Sequence, residues 1–278
     1  MRLTRYITLV LAMAGIAGCS LQTRLEPSNS LQTGKSASPT AQIAVPKMGS
    51  SFQIEIDSYT GNVAADVIEV DPDDVTTEQV RSLRAKGVYP ICYVNVGAWE
   101  EWRSDSDRFP KEVIGKDNQN LQGVHWLDIG RYRQYFHLMA DRIKVCADKG
   151  FLAVDADNVD GWQEDTGFKV TNEEGALYVT ELAKTAHNHG LAFALRNDIV
   201  QLDYLVGDVD MAVVEDCHEG DACENWSVFL KDKKPVFVIE YEDEHFAECK
   251  HDPPGMTTVR KTTKLDSWVK DCSGKEQP

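Results

Sequence analysis

Basic side chains are scarce in this 278-residue chain, which has 29 Lys and Arg against 45 Asp and Glu and a formal net charge of -16. Nucleic-acid binding depends on basic patches that displace counterions, so we expect no nucleic-acid partner. A cationic or neutral partner fits the acidic balance better. The 42% of hydrophobic residues is enough for one large domain or two small ones.

Signatures of several common chemistries are also absent. No G-x-G-x-x-G follows the first predicted strand and no G-x-S-x-G occurs, so nothing indicates a dinucleotide site or a nucleophile elbow. No predicted strand ends in histidine, and the cysteines lack paired C-x-x-C spacing. This disfavours zinc bound by Cys217, His218 and Cys223, or by Cys249 and His251. We therefore expect no metal and no cofactor.

The N-terminus resembles a bacterial lipoprotein signal. Two arginines precede an apolar run over 6–14 that is too short to span a bilayer, and the run leads into the motif IAGC at 16–19. The resemblance implies a signal peptide over 1–18, lipidation of Cys19, and anchoring in the bacterial cell envelope, at the outer membrane or the cell surface. An ordinary signal peptide with a chance cysteine is the alternative. Residues 19–50, rich in Ser, Thr, Gln and Pro, are predicted to form a flexible tether.

Six cysteines follow Cys19, and an even count in an exported, oxidising compartment favours disulfides. Six cysteines allow fifteen pairings. Cys217 with Cys223 would close a short loop, and this pair is the first choice. Cys249 with Cys272 would hold the C-terminal tail. Cys92 and Cys146 are then left over, and we interpret them as buried thiols.

From about residue 51, short β-rich runs alternate with helical stretches. The eight predicted strands are 52–56, 66–71, 90–96, 152–157, 191–195, 211–215, 236–241 and 256–262. Predicted helices, with polar starts or glycine stops, cover 76–86, 131–149 and 172–188. This alternation favours parallel pairing and predicts an α/β fold, a (β/α)8 TIM barrel over 51–278. A doubly wound open sheet is the competing arrangement.

Acids and amides cluster at the carboxyl ends of these strands, where a TIM barrel carries its active site. Asp155 and Asp157 alternate on one strand, so both side chains face the barrel interior, where an unused acid is costly. Glu215 ends a nearby strand. Two carboxylates across a cleft are what glycoside hydrolysis needs. Polar loops and helix caps are the competing interpretation, which we apply to Asp198 and Glu242.

Aromatic residues at or just beyond the strand ends support a sugar ligand, because flat rings stack on the apolar faces of sugars. They are Tyr93, Trp99, Trp102, Trp126, Trp162 and Tyr241. Each ring alone more often serves packing, and only the set together indicates a sugar site.

Several ordered segments together resemble glycoside hydrolase family 114. They are 92–105 (CYVNVGAWEEWRSD), 126–129 (WLDI), 150–161 (GFLAVDADNVDG), 195–198 (LRND) and 215–217 (EDC). The family includes endo-α-1,4-polygalactosaminidases on a (β/α)8 barrel that cut galactosamine-containing exopolysaccharides of microbial biofilms. The resemblance thus implies a glycosidase with a cationic or partly acetylated amino-sugar polymer as its partner, and we expect a monomer.

By the same resemblance, Asp157 and Glu215 match the catalytic pair. Asp157 is assigned as nucleophile and Glu215 as general acid/base in a retaining scheme, with the reverse assignment left open. The sugar subsites would be lined by Tyr93, Asn95, Asp155, Asn158, Asp160, Asn197, Glu240 and Tyr241. Asp128 and Arg103 also match the family and could form a structural pair.

The sequence departs from the family pattern in places that bear on substrate preference. Asp155-Ala156 stands where the family usually has Glu-Pro, Arg196 where it has Lys, and Asp216 where it has Gln. Two alternatives therefore stay open: a non-catalytic polysaccharide-binding lipoprotein on the same barrel, and a hydrolase of a different α-linked glycan.

Overall fold

The computed structural model describes residues 43–118 and 121–277. The predicted signal peptide, the predicted lipidation site Cys19 and most of the predicted tether lie outside these residues. Residues 43–50, which the sequence assigned to the tether, pack on the folded domain: the Tyr89 hydroxyl donates to the Ala44 carbonyl at 2.7 Å, and the Gly49 amide donates to the Gly255 carbonyl at 2.9 Å. The domain therefore begins before residue 51. None of the described helices has the length and apolar character needed to cross a membrane.

All eight predicted strands are present, together with five that were not predicted. In chain order the strands are β1 (Phe52–Glu55), β2 (Val67–Val70), β3 (Tyr89–Asn95), β4 (Ala98–Glu100), β5 (Ile114–Asp117), β6 (Val124–Leu127), β7 (Ala153–Asp157), β8 (Ala192–Arg196), β9 (Met211–Glu215), β10 (Val236–Glu240), β11 (Met256–Arg260), β12 (Val269–Asp271) and β13 (Glu276–Gln277). Strands β1, β2, β3, β7, β8, β9, β10 and β11 pair in parallel in that order.

The sheet curls so that β1 approaches β11. The Lys261 ammonium donates to Gln53 Oε1 at 2.8 Å, and the Ile56 amide donates to the Leu265 carbonyl at 3.1 Å. These contacts close the eight parallel strands into the predicted (β/α)8 barrel, while β12 and β13 add an antiparallel edge beside β11. The short unit after β1 contains no helix.

The helices are α1 (Thr77–Ala85), α2 (Phe136–Lys149), α3 (Asn172–Asn188), α4 (Leu202–Leu205), α5 (Ser227–Lys231) and α6 (Asp243–Phe246). Reciprocal capping boxes start α1 at Thr76 and α3 at Thr171, in each case with the residue three positions later. Gly150 ends α2 in the left-handed conformation, at φ 95°. Tyr178 and Leu182 of α3 are buried against the outer face of the barrel.

The lower part of the barrel interior is apolar. Phe52 and Phe237 stack with their ring centroids 4.7 Å apart, and the small side chains Ala153 and Ala194 lie in the same cluster. Because side chains alternate along each strand, the next interior positions of β7 and β8 after these alanines are Asp155 and Arg196. The interior thus changes from apolar to charged toward the carboxyl ends of the strands.

An inserted antiparallel sheet follows β3, in the order β4, β6, β5. The sequence analysis did not predict it. Its strands are only three or four residues long, and its residues Val124 and Trp126 extend one wall of the cleft described below.

Three disulfides cross-link the domain. Cys217 is joined to Cys223 and Cys249 to Cys272, the two pairs favoured by the sequence. The interpretation of Cys92 and Cys146 as buried thiols was wrong, because they form a third disulfide. It joins β3 to α2, which are far apart in the sequence, so no local sequence pattern indicates that they are in contact.

Candidate active site

A cleft of about 780 Å³ opens at the carboxyl ends of the barrel strands. Its lining includes nine acidic residues, namely Asp57, Asp71, Asp73, Asp74, Glu100, Asp157, Asp160, Glu164 and Glu215, against three basic ones, Arg103, Arg196 and Lys264. The cleft is therefore strongly acidic, as the net charge of the chain anticipated. Such a lining attracts cationic ligands.

Asp157 ends β7 and Glu215 ends β9, so the strand between them, β8, places Arg196 beside both. The Arg196 Nε lies 3.2 Å from Glu215 Oε2 and 3.5 Å from Asp157 Oδ1. The sum of these two distances, about 6.7 Å, is the upper limit for the separation of the two oxygens. Retaining glycosidases hold their two carboxyl groups about 5–5.5 Å apart and inverting ones about 6.5–9.5 Å apart.

Three donors surround the Glu215 carboxyl. Tyr241 donates its hydroxyl proton to Oε1, while Asn197 Nδ2 donates to Oε2 at 3.3 Å alongside Arg196. The Asn197 Oδ1 also accepts from the Glu215 amide at 2.9 Å, which fixes the backbone at this point. Burial alone would raise the pKa of Glu215, but Arg196 and these hydrogen bonds outweigh it and the pKa is lowered. Glu215 is thus held as a carboxylate.

Asp157 has a different environment. Its Oδ2 accepts from the Tyr93 hydroxyl at 2.7 Å and its Oδ1 from the Asn158 amide at 2.7 Å. Burial raises its pKa, Arg196 opposes this, and the nearby charge of Glu215 raises it further, so the net shift is upward. The surroundings thus shift the pKa values of the two acids in opposite directions, upward for Asp157 and downward for Glu215.

A chain of amides supports this end of the cleft. Asn118 Nδ2 donates to Asn158 Oδ1 at 3.2 Å, and Asn158 Nδ2 donates to Asn95 Oδ1 at 3.1 Å. Close packing requires Gly97 here, because a Cβ at that position would lie 1.6 Å from the Asn158 carbonyl oxygen. Asp160 also lines the cleft, and burial together with the charge of Asp157 raises its pKa to about 6.

Six of the eight residues predicted to line sugar subsites do line the cleft: Tyr93, Asn95, Asn158, Asp160, Asn197 and Tyr241. Asp155 does not, because it is fully buried beneath the cleft and bound to Arg196. Glu240 does not either. It precedes Tyr241 and so faces outward, where its Oε1 accepts from the His218 amide at 2.9 Å.

Some roles assigned from sequence also differ. Asp198 is no helix cap: its side chain makes no capping bond and accepts from the Trp162 Nε1 at 3.1 Å. Arg103 does not pair with Asp128 but bridges Asp71, Asp73 and Glu100 at the edge of the cleft. Asp128 pairs with Arg131 instead. The Arg103 cluster holds the insert against the end of β2.

The four tryptophans predicted near the strand ends divide into two groups. Trp102, which is 57% exposed, and Trp126 line the cleft and can stack on a ligand. Trp99 and Trp162 use their indole N–H groups to bond the Ser106 carbonyl and Asp198. These two support loops rather than the cleft surface.

Two parts of the site were missed by sequence reasoning. The first is Glu69, an acid in the middle of the otherwise apolar β2, where its fully buried side chain accepts from Arg196 at 3.0 Å. An isolated charge inside a buried strand was the available signal. The second is the loop after β11, which contributes Thr263, Lys264 and Leu265 to the cleft, and no sequence signal pointed to it.

One group among the described residues has metal-ligating types close together: Cys217, His218, Cys223 and Glu240, whose ligand atoms lie within 4.8 Å of one another. Cys217 and Cys223 form a disulfide, so they do not offer the thiolates that zinc binds. The site of the two carboxylates needs no metal to act by acid and nucleophilic catalysis.

Comparison with known proteins fits this geometry. Residues 32–277 match glycoside-hydrolase family GH114. The chain belongs to that family. As a GH114 glycoside hydrolase it is a glycosidase, and the family's barrel is the fold described above. No protein with a curated description matches the sequence.

Two solved structures illustrate the GH114 likeness. Ega3 of Aspergillus fumigatus, in complex with galactosamine, is 29% identical with a TM-score of 0.77, covering 82% of this chain and 96% of that one. The glycoside hydrolase domain of PelA from Pseudomonas aeruginosa is 15% identical with a TM-score of 0.63, covering 78% of this chain and 97% of that one. At that identity the second likeness shows the fold alone.

Proposed function

We propose that this GH114 glycosidase cleaves α-1,4-linked, galactosamine-containing exopolysaccharide through Asp157 and Glu215. The observation that supports this most directly is the placement of two carboxyls on either side of Arg196 in an open, acidic cleft. The galactosamine bound to Ega3 supports an amino-sugar substrate. Ammonium groups on a deacetylated polymer match the nine acids of the cleft lining.

In the proposed reaction, one carboxyl protonates the glycosidic oxygen as the bond to the anomeric carbon breaks. The other carboxylate attacks that carbon and forms a covalent glycosyl-enzyme. Water then hydrolyses this ester, giving its proton to the first residue. The upper limit of about 6.7 Å between these two oxygens is compatible with the retaining range and overlaps the inverting range only at its lower end, so the proposal keeps the retaining scheme.

The roles of the two acids form part of the proposal. The sequence assigns Asp157 as nucleophile, whereas the surroundings raise the pKa of Asp157 and lower that of Glu215, the directions expected if Glu215 is the nucleophile. A substrate with an activated leaving group distinguishes the two assignments. The variant that lacks the general acid should still form the glycosyl-enzyme from this substrate, whereas the variant that lacks the nucleophile should not.

The test of the function is turnover of defined oligomers by the purified full-length protein in detergent. Galactosamine oligomers, their N-acetylated forms and neutral galactose oligomers are compared by mass spectrometry, and the anomer formed first is identified by NMR. We expect cleavage of the cationic or partly acetylated oligomers with retention. Asp157→Asn and Glu215→Gln should each lower kcat by at least about 10³-fold while the thermal unfolding midpoint stays near that of the parent.

Asp203→Asn serves as the matched control, because Asp203 is an exposed acid on α4 and is not part of the cleft lining. Oligomer binding without new reducing ends would identify a polysaccharide-binding barrel instead. Cleavage confined to the neutral oligomers would reject galactosamine as the substrate. Unchanged cleavage in both catalytic variants would reject the assigned pair.

We further propose that the protein is a monomer anchored in the bacterial envelope through lipidated Cys19, which holds the barrel near extracellular polysaccharide. The support is the motif at 16–19 and the Ser- and Pro-containing segment that follows it. Metabolic labelling with a fatty acid should mark the parent protein and not Cys19→Ser, and the variant should leave the membrane fraction. Equal labelling of both would reject lipidation at this cysteine, and size-exclusion chromatography with light scattering tests the monomer.

A further inference from the structure

A buried charge network lies directly beneath the two catalytic candidates. Arg196, which is 2% exposed, donates from Nη1 to Glu69 Oε1 at 3.0 Å and to Asp155 Oδ2. The Nε of the same guanidinium contacts Glu215 and Asp157 at the distances given above. One guanidinium therefore connects two carboxyls below it with the two carboxyls of the cleft.

The charges of this network do not balance if every acid is ionised. In the described part of the chain, Arg196 is the only basic side chain within ion-pair distance of any of the four carboxyls. Glu69, Asp155 and Arg196 are closed to water, so two carboxylates on one guanidinium would leave a buried charge of -1, while Asp157 and Glu215 above them are partly exposed to the cleft. Uncompensated buried charge is avoided by proton uptake, so the network must hold protons at neutral pH.

Two buried oxygens indicate where one of these protons lies. Glu69 Oε2 and Asp155 Oδ1 have no hydrogen-bond partner among the described residues, yet the two side chains are within hydrogen-bonding reach of each other. A proton on either carboxyl would supply the missing bond.

Electrostatics agree with this placement. Burial, and then the charge of Asp155, raise the pKa of Glu69 well above its ordinary value. Burial also raises the pKa of Asp155, but Arg196 and the hydrogen bond with Glu69 limit the rise to about 6. The other charged groups that act on this pair are Arg196 and Asp157, while Tyr93, Glu215 and Tyr241 contact Asp157, Arg196 or each other in the layer above.

We infer that Glu69 is a positioning residue that stays protonated at neutral pH and donates a hydrogen bond to an ionised Asp155. Asp155 then holds the Nη1 of Arg196, and the Nε edge of the guanidinium stays against the catalytic pair. Replacing Asp155 removes a charge from beneath that pair, whereas replacing Glu69 by glutamine removes none. The kinetic consequence rests on the proposed function, but the protonation state of Glu69 does not.

Infrared spectroscopy of the substrate-free protein tests the protonation state without any assay of turnover. The carbonyl stretch of a protonated carboxylic acid should be present at neutral pH in the parent and lost in Glu69→Gln. Glu55→Gln is the matched control, because Glu55 is also a fully buried glutamate on a barrel strand but does not contact Arg196. The spectrum of Glu55→Gln should retain the carbonyl band that is assigned to Glu69. A Glu69→Gln spectrum that loses only carboxylate bands would overturn the inference.

The pH dependence of kcat/KM on galactosamine oligomers tests the coupling to the catalytic pair. Asp155→Asn should move the profile to lower pH by about one unit, because one buried negative charge is removed from beside Asp157 and Glu215. Glu69→Gln should move it by less than about 0.3 unit, and Glu55→Gln likewise. Equal shifts in both network variants, a shift in Glu69→Gln alone, or no shift in either would overturn the inference. If no glycan is cleaved, the proposed function fails while the infrared result still decides the state of Glu69.

Discussion

Replacing Asp198 by asparagine should stabilise the protein at neutral and alkaline pH. Asp198 is 2% exposed, and its Oδ2 has no hydrogen-bond partner among the described residues. Burial raises its pKa to about 7, although Trp162 and, more weakly, Gln163 donate hydrogen bonds to its Oδ1. The backbone at this position is left-handed, at φ 55°, a conformation that asparagine tolerates well.

The magnitude follows from linkage. A carboxyl whose pKa rises from 3.8 unfolded to about 7 folded costs stability wherever the folded state must ionise it. The cost is complete above pH 7 and is lost as the pH falls from about 7 to 3.8. Three pKa units correspond to about 4 kcal/mol, and losing the charge on the Trp162 hydrogen bond offsets about 1 kcal/mol of the gain. We therefore expect Asp198→Asn to raise the free energy of unfolding by about 3 kcal/mol at pH 8.5.

Urea unfolding at several pH values measures this effect. The advantage of Asp198→Asn should shrink to about 1 kcal/mol or less near pH 4, because the parent Asp198 is then protonated in the folded state. Asp203→Asn is the control, since Asp203 is an exposed acid in the following helix, and we expect a change within about 0.5 kcal/mol. A stability gain that does not depend on pH, or a loss at pH 8.5, would refute the reasoning.

Three further predictions test other parts of the structure. Tyr241→Phe removes a hydrogen-bond donor from Glu215 and should raise the pKa of Glu215 by about one unit. In the pH profile of kcat/KM, the acid limb should move if Glu215 is the nucleophile, and the basic limb should move if Glu215 is the general acid. A profile with both limbs unchanged would contradict this contact. Cys92→Ala with Cys146→Ala opens a loop of 54 residues and should lower the free energy of unfolding by about 4 kcal/mol, measured in urea. Added salt should weaken kcat/KM for cationic oligomers severalfold and leave N-acetylated ones nearly unchanged, because screening acts on the attraction to the acidic cleft; equal salt effects on both would contradict it.

The barrel could be predicted because parallel strands buried on both faces have continuous apolar runs. The segments around β9 and β10, Met211–Glu215 and Val236–Glu240, have this composition and lie where predicted. The helix starts at Thr76 and Thr171 were recognisable for the same local reason, since capping depends on residues three apart. Signals of this kind need only neighbours in sequence.

The period of two along a strand could have corrected one error. Glu240 and Tyr241 are adjacent, so they cannot both face the cleft, and Tyr241 is the one that does. Asp155 illustrates a different limit. It shares the inward face with Asp157 as expected, but depth along the strand decides whether an inward acid reaches the ligand or only the residues beneath it.

Contacts between distant segments could not be obtained from the sequence. The disulfide of Cys92 with Cys146 and the cluster of Arg103 with Asp71 join parts of the chain that meet only after the barrel closes. The insert of β4, β5 and β6 was not predicted for a second reason. Its strands are short and irregular, with a register shift between β5 and β6. Strands of three or four residues give too few alternations to be distinguished from a loop.

A crowded set of acids has opposite effects on binding and on catalysis. Each carboxylate in the cleft attracts a cationic sugar, but each also raises the pKa of its neighbours. Burial, and then the charge of Asp157, raise the pKa of Asp160 to about 6. A glycosidase needs one of its two catalytic acids ionised. Further carboxylates would attract the substrate more strongly but would also favour protonation of that acid, unless a positive charge beside the two acids opposes the effect. Arg196 supplies this charge from beneath, where burial protects the interaction from the salt that screens the rim. Ionic strength should therefore change substrate capture far more than the pH midpoints of the catalytic pair.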